Sequence, residues 1–95
     1  MATGTGSAVL NFGTGANEAS VTVTGQTSIL DTSKAEAYIM ADDTTGDHTA
    51  KDHRYLAVLA GLTCGTPTVG TGFTIYATST QKLEGTFQVR WVWAD

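Results

Sequence analysis

An all-β domain, a small antiparallel β-sandwich or barrel of jelly-roll-like type with six to seven short strands, is what this sequence predicts. Three observations carry that expectation. The first is composition: 18 threonines and 11 glycines stand against one proline in 95 residues, a mixture that suits pleated surfaces and turns better than helices. The second is period-2 alternation of apolar and polar residues in several separate segments. The third is spacing, because the segments recur about every 10 residues with turn residues between them.

Taken in order, Ala8, Leu10 and Phe12 alternate with Val9 and Asn11, and Gly13 to Asn17 supply a turn. Glu18 to Thr24 alternates Ala19, Val21 and Val23 with Ser20, Thr22 and Thr24, a β-branched run that a helix disfavours at χ1. Thr27 to Lys34 is polar apart from Ile29 and Leu30 and reads as a connection with a short buried anchor. Ala35 to Ala41 fits either a helix or a strand, and the strand is preferred because seven residues are few for an independent helix.

Asp42 to His53 is the most hydrophilic stretch and reads as an exposed loop. Within it Thr49 and Asp52 have capping-box spacing, which allows one helical turn near Ala50 to Arg54. Tyr55 to Leu62 is nearly all apolar; its length favours a strand buried on both faces, with a helix as the alternative. Gly65, Thr66, Pro67 and Gly70 mark a turn-rich link into a strand over Gly72 to Thr78, Ser79 to Glu84 reads as a hairpin connection, and Thr86 to Trp93 is the clearest strand of all. The expected core is Leu10, Phe12, Val21, Val23, Ile39, Leu56, Val58, Phe73, Ile75, Phe87, Val89 and Trp91. Residues 1–7, rich in glycine and threonine, read as a flexible arm ahead of a single domain over residues 8–95.

Charge and cysteine content narrow the function classes. A net charge of −4 with singly spaced cations offers no footprint for nucleic acid. Neither a leader peptide nor an apolar run of roughly 20 residues is expected, which speaks against a membrane partner. The lone Cys64 forbids an internal disulfide and reads as a buried structural thiol in a protein made in a reducing cytosol.

The only cluster of titratable groups is Asp47, His48, Asp52 and His53. Carboxylates and imidazoles of this kind are metal ligands, but the spacing matches neither a helical zinc motif nor a calcium loop. A solvated or interface-forming loop is the preferred reading, with histidine protonation around pH 6 tuning assembly. No cofactor is expected. Gly4-Thr5-Gly6 and Gly70-Thr71-Gly72 read as turns, and no Ser-His-Asp spacing supports acyl transfer, so no enzyme is expected. Trp91 and Trp93 share a face with Phe87 and read first as core. The alternative places Trp93, with Trp91 and Tyr76, at a subunit contact, and Trp93, Tyr76 or Tyr38 also offers a stacking platform for a carbohydrate or receptor ligand.

Three segments, Glu18 to Gln26, Gly70 to Ala77 and Gly85 to Trp93, together with the Asp47-His48 and Asp52-His53 pairs, resemble a family of short structural proteins encoded among tailed-bacteriophage and prophage genes. The resemblance spans residues 8–94 through strand sequences and carries over no site residue. It implies a virion part without saying which; a small, acidic, β-rich chain without disulfides, made in the host bacterial cytoplasm, fits first a capsid decoration (cementing) or head-fibre attachment protein. Such a protein acts as a homo-oligomer, dimer or trimer, on the major capsid protein or other virion proteins. A tail or baseplate component is the alternative.

Overall fold

The computed structural model describes residues 2–40 and 48–95. The protein is mostly β, with strands β1 (Thr3–Asn11), β2 (Ala16–Val23), β3 (Lys34–Tyr38), β4 (Ala60–Cys64), β5 (Phe73–Leu83) and β6 (Thr86–Ala94), and a helix α1 (Ala50–Leu59) ahead of β4. The strands form two three-stranded antiparallel sheets, ordered β1-β6-β3 and β2-β5-β4. Only β4 and β5 are consecutive within one sheet; every other step along the chain changes sheet. The buried side chains of both sheets belong to one core cluster, and Phe73 of β5 meets Trp91 of β6 edge-on at 5.6 Å between ring centroids.

β6 is the middle strand of its sheet and turns Phe87, Val89, Trp91 and Trp93 inward. Its neighbours are graded to fit these rings. Gly6 and Ala37 flank Trp91, Gly4 and Ala35 flank Trp93, and Ala8 and Leu10 lie opposite Val89 and Phe87. Room beside the indoles is tight enough to require glycine on the β1 side. A Cβ at Gly6 would sit 2.5 Å from Cζ2 of Trp91, and one at Gly4 would run into the Trp93 indole nitrogen.

This packing overturns the expectation of a flexible arm. Residues 3–7 are the first half of β1, in unbroken register with β6 from Thr3 opposite Ala94 to Asn11 opposite Thr86. Ala2 and Asp95 then close the ladder, the Ala2 amide donating to Asp95 Oδ1 at 3.0 Å and the Asp95 amide to the Ala2 carbonyl at 3.1 Å. Gly4-Thr5-Gly6 is accordingly strand and not a turn. The glycines there serve close approach of a side chain, the other use of a residue without Cβ.

Three further expectations are corrected. The apolar run Tyr55 to Leu62 splits between α1 and β4, because a well-capped helix competes successfully with extended backbone over its first half. Thr49 Oγ1 accepts from the Asp52 amide at 3.2 Å, and Asp52 Oδ2 accepts from the Thr49 amide at 3.0 Å, completing a capping box. His53 and Leu56 then fall on the buried side at helical spacing, and the expected single turn becomes a helix of 10 residues. Val58, expected in the core, is 83 % exposed on the opposite side of α1.

The expected hairpin over Ser79 to Glu84 is also absent. β5 stays extended to Leu83, and β6 begins in the other sheet after a corner at Glu84 and Gly85. Gly85 takes φ +80°, and its amide and carbonyl bond to Gly13 and Phe12 at 2.9 and 2.8 Å. The β5-β6 corner is thereby stitched to the β1-β2 corner.

The strand reading of Ala35 onward holds over Lys34–Tyr38, and Ile29 is the buried anchor of its connection while Leu30 is exposed. Val21 and Ile39 pack against the core from partly buried positions. Among the described residues no helix is long and apolar enough to cross a membrane.

The small-residue flanks of the tryptophans give a direct test. Gly6→Val is expected to lower unfolding free energy in denaturant titration by about 1–3 kcal/mol through overpacking, whereas Ser7→Val, one residue along on the exposed face, leaves the midpoint nearly unchanged.

Candidate functional site

The titratable cluster gathers where α1 starts, beside the inward ring of Phe87. Asp47 lies outside the described residues; His48, Asp52 and His53 are within them. The His48 ring stacks on Phe87 at 3.9 Å between centroids and 15° between planes. His53 meets the same phenyl ring edge-on at 5.3 Å, as does Phe12 at 5.9 Å. Phe87 of β6 is thus the hub of a four-ring cluster with Phe12, just after β1, His48, just before α1, and His53 within α1.

The two imidazoles have opposite surroundings. His53 is fully buried. Its Nδ1 lies 2.8 Å from the Thr49 carbonyl, and its Nε2 receives the Gln88 amide at 3.0 Å. A carbonyl only accepts and an amide N–H only donates, so the ring is neutral with its proton on Nδ1. In that form His53 ties the first turn of α1 to the backbone of β6, with both nitrogens satisfied.

His48 instead faces two acceptors. Nε2 lies 2.7 Å from the Glu84 carbonyl and Nδ1 lies 3.3 Å from Asp52 Oδ2. Only the doubly protonated ring donates to both, and that form carries the charge that completes an ion pair with Asp52. The Thr49 backbone N–H, and after it the His48 hydrogen bond, hold the Asp52 carboxyl below its ordinary value of 3.8.

No imidazole nitrogen among these residues is left over for proton transfer or for a metal ion. His48 and His53 spend their nitrogens on backbone atoms and on Asp52, and no group of three or more His, Cys, Asp or Glu side chains converges among the described residues. Of the grouping considered from the sequence, His48 and Asp52 are in contact at 3.3 Å, while His53 is turned to the backbone of Thr49 and Gln88. Cys64 is half-buried, and burial, with the nearby Glu36 charge, pushes its thiol up, away from thiolate chemistry.

The aromatic residues considered for contacts divide cleanly. Trp93 is 2 % exposed and its indole N–H donates to Gln26 Oε1 at 3.0 Å. Trp91 is buried too, and its N–H meets no acceptor among the described residues, a loss of about 1–3 kcal/mol in a typical interior. Neither ring has a face to offer a partner, which corrects the subunit-contact alternative for both. Tyr76 is exposed on the outer face of its sheet between Ser20 and Thr63, its ring passing over Gly65. Tyr38 is exposed opposite Arg90.

Sequence reasoning missed the apolar outer face of α1, where Tyr55 and Val58 are exposed three positions apart. The available signal was the capping box itself: extending a helix from Thr49 puts Tyr55 and Val58 opposite His53 and Leu56. Comparison of the chain with protein-family models, with curated proteins and with solved structures finds no match.

The depressed carboxyl sets a sign for acid sensitivity. A group whose folded pKa is lowered contributes stability that is present above its unfolded value and is lost as pH falls through the folded value. The melting temperature of Asp52→Asn is thus expected below that of the parent at neutral pH, with the gap closing below the ordinary aspartate range. A gap independent of pH in a thermal denaturation series contradicts the charged cap.

Proposed function

We propose that the protein is a non-enzymatic structural subunit of a tailed-phage particle, a capsid decoration or head-fibre attachment protein. In this reading it acts as a homo-oligomer on the major capsid protein or another virion protein, after synthesis in the bacterial cytoplasm. The two sheets are taken as a small open sandwich that serves as a rigid carrier. The observation that carries the reading is the outer face of α1. A surface helix ordinarily turns polar residues to water, yet here Val58 is 83 % and Tyr55 58 % exposed. Contiguous exposed apolar surface of this kind marks a contact.

Two cations rim the patch, Arg54 and Lys51, the latter with its Nζ 5.9 Å from the Tyr55 ring centroid. They suit a partner surface with acidic residues around an apolar centre. The histidine cluster supports the same reading from the other side, since its hydrogen bonds go to docking α1 and hold the patch in place. The phage assignment itself is supported by the strand sequences that resemble that family.

A second reading, a tail component or receptor-binding module, draws on the exposed Tyr76 ring, which has the open face that sugar stacking needs.

Purified protein mixed with capsid shells that lack it is expected to co-sediment to saturation. Val58→Glu is expected to weaken that binding at least tenfold while leaving the melting temperature within a few degrees. Absence of shell binding, combined with glycan-dependent shifts of the Tyr76 ring signals in NMR spectra, transfers the assignment to the receptor-binding reading.

A further inference from the structure

Each three-stranded sheet has two edge strands, and an edge presents a row of backbone N–H and C=O groups to which another chain can add. Soluble proteins blunt their edges with charge, proline, bulges or brevity. Three of the four edges here are blunted. β3 has five residues and carries Lys34 and Glu36. β4 has five residues and is entered directly from α1. β2 carries Glu18, and its register with β5 breaks between Ala16 and Glu18.

β1 has none of these devices. It runs for nine residues without a charge or a proline, in unbroken register with β6, and β6 is its sole ladder partner among the described residues. Thr3, Thr5, Ser7, Val9 and Asn11 on its outer face are all exposed. The core explains why the strand is so long, since its glycines must reach both indoles. Nothing in the core explains the absence of charge on its exposed side.

We propose that the free edge of β1 pairs with β1 of a second copy of this chain, antiparallel across a two-fold axis, joining two three-stranded sheets into one of six strands. Across such an axis a strand meets itself, so a lone charge would face its own copy or leave a cation or anion crowded near the axis. β1 avoids that by carrying none. Centred on Ser7, the pairing sets Thr5 against Val9 and Thr3 against Asn11 on the outer face. On the inner face it sets Gly4 against Leu10 and Gly6 against Ala8, small against large at the first of these pairs. Thr5 with Val9 is a β-branched pair, the kind that cross-strand contacts favour.

This inference supplies the contact for the homo-oligomer in the proposed function and rests on that part of it, independently of any virion partner.

Light scattering after size exclusion, over a concentration series, is the test. The parent chain is expected at twice the chain mass, and Thr5→Lys with Val9→Lys, which sets lysines opposite one another, at the single-chain mass with an unchanged circular dichroism spectrum. Val58→Glu keeps the doubled mass even where it loses shells, which separates this contact from the shell-binding face. In a Cys64→Ala background, mild oxidation of Ser7→Cys is expected to give a disulfide-linked dimer, since paired positions on the axis meet cysteine bridge geometry. A parent chain that stays at single-chain mass, a trimer, a double-lysine variant that keeps the doubled mass, or Ser7→Cys without a cross-link overturns the proposal.

Discussion

Two indoles in succession on the inner face of a middle strand need more width than the spacing of about 4.8 Å between strands allows, unless their neighbours give way on both sides. Here they do. Trp91 lies between Gly6 and Ala37, and Trp93 between Gly4 and Ala35. Much of the architecture follows from that accommodation. β1 must extend back to Thr3 to bring glycine to Trp93, so the two ends of the described chain meet at Ala2 and Asp95. The edge of Trp91 against Phe73 draws in the second sheet. Gln26, in the connection between β2 and β3, is held by the indole N–H of Trp93.

The other end of the same inner face sets the helix. Phe87 continues the row of Trp93, Trp91 and Val89, and around it His48, His53 and Phe12 assemble. Both imidazoles place their nitrogens against backbone atoms or Asp52, and both fasten the start of α1. The polar groups of this cluster are thus consumed in positioning a helix that exposes Tyr55 and Val58 beside Lys51 and Arg54. That division, polar inward ties and an exposed apolar pair outward, is the observation on which the proposed binding role rests.

The legible parts of the sequence were those governed by a local period. β2, β6 and the first half of β5 alternate strictly enough for the pleat alone to identify them, β3 needed the added argument of length, and the Thr49 to Asp52 capping box marks the start of α1. Where local and long-range information separate, the reading failed. Thr3 to Ser7 looks mobile because glycine raises backbone entropy; its strand character comes from Trp91 and Trp93, more than 80 positions away, and no local window contains both. The run from Tyr55 to Leu62 has no period because helix and strand meet inside it, at Leu59 and Ala60. His53 reads as exposed because it is polar, yet two backbone partners allow it to be fully buried. Val58 reads as core because it is apolar, and the helix turns it out.

The dependence of the fold on the glycine and tryptophan interlock is tested most directly by residue-resolved amide hydrogen exchange of the folded protein. The account expects the β1 amides that face β6, within residues 3–11, to exchange as slowly as those of β6, because both strands open only with the core. Rapid exchange throughout residues 3–7 alongside a protected β6 would contradict it, and would return that segment to a mobile arm.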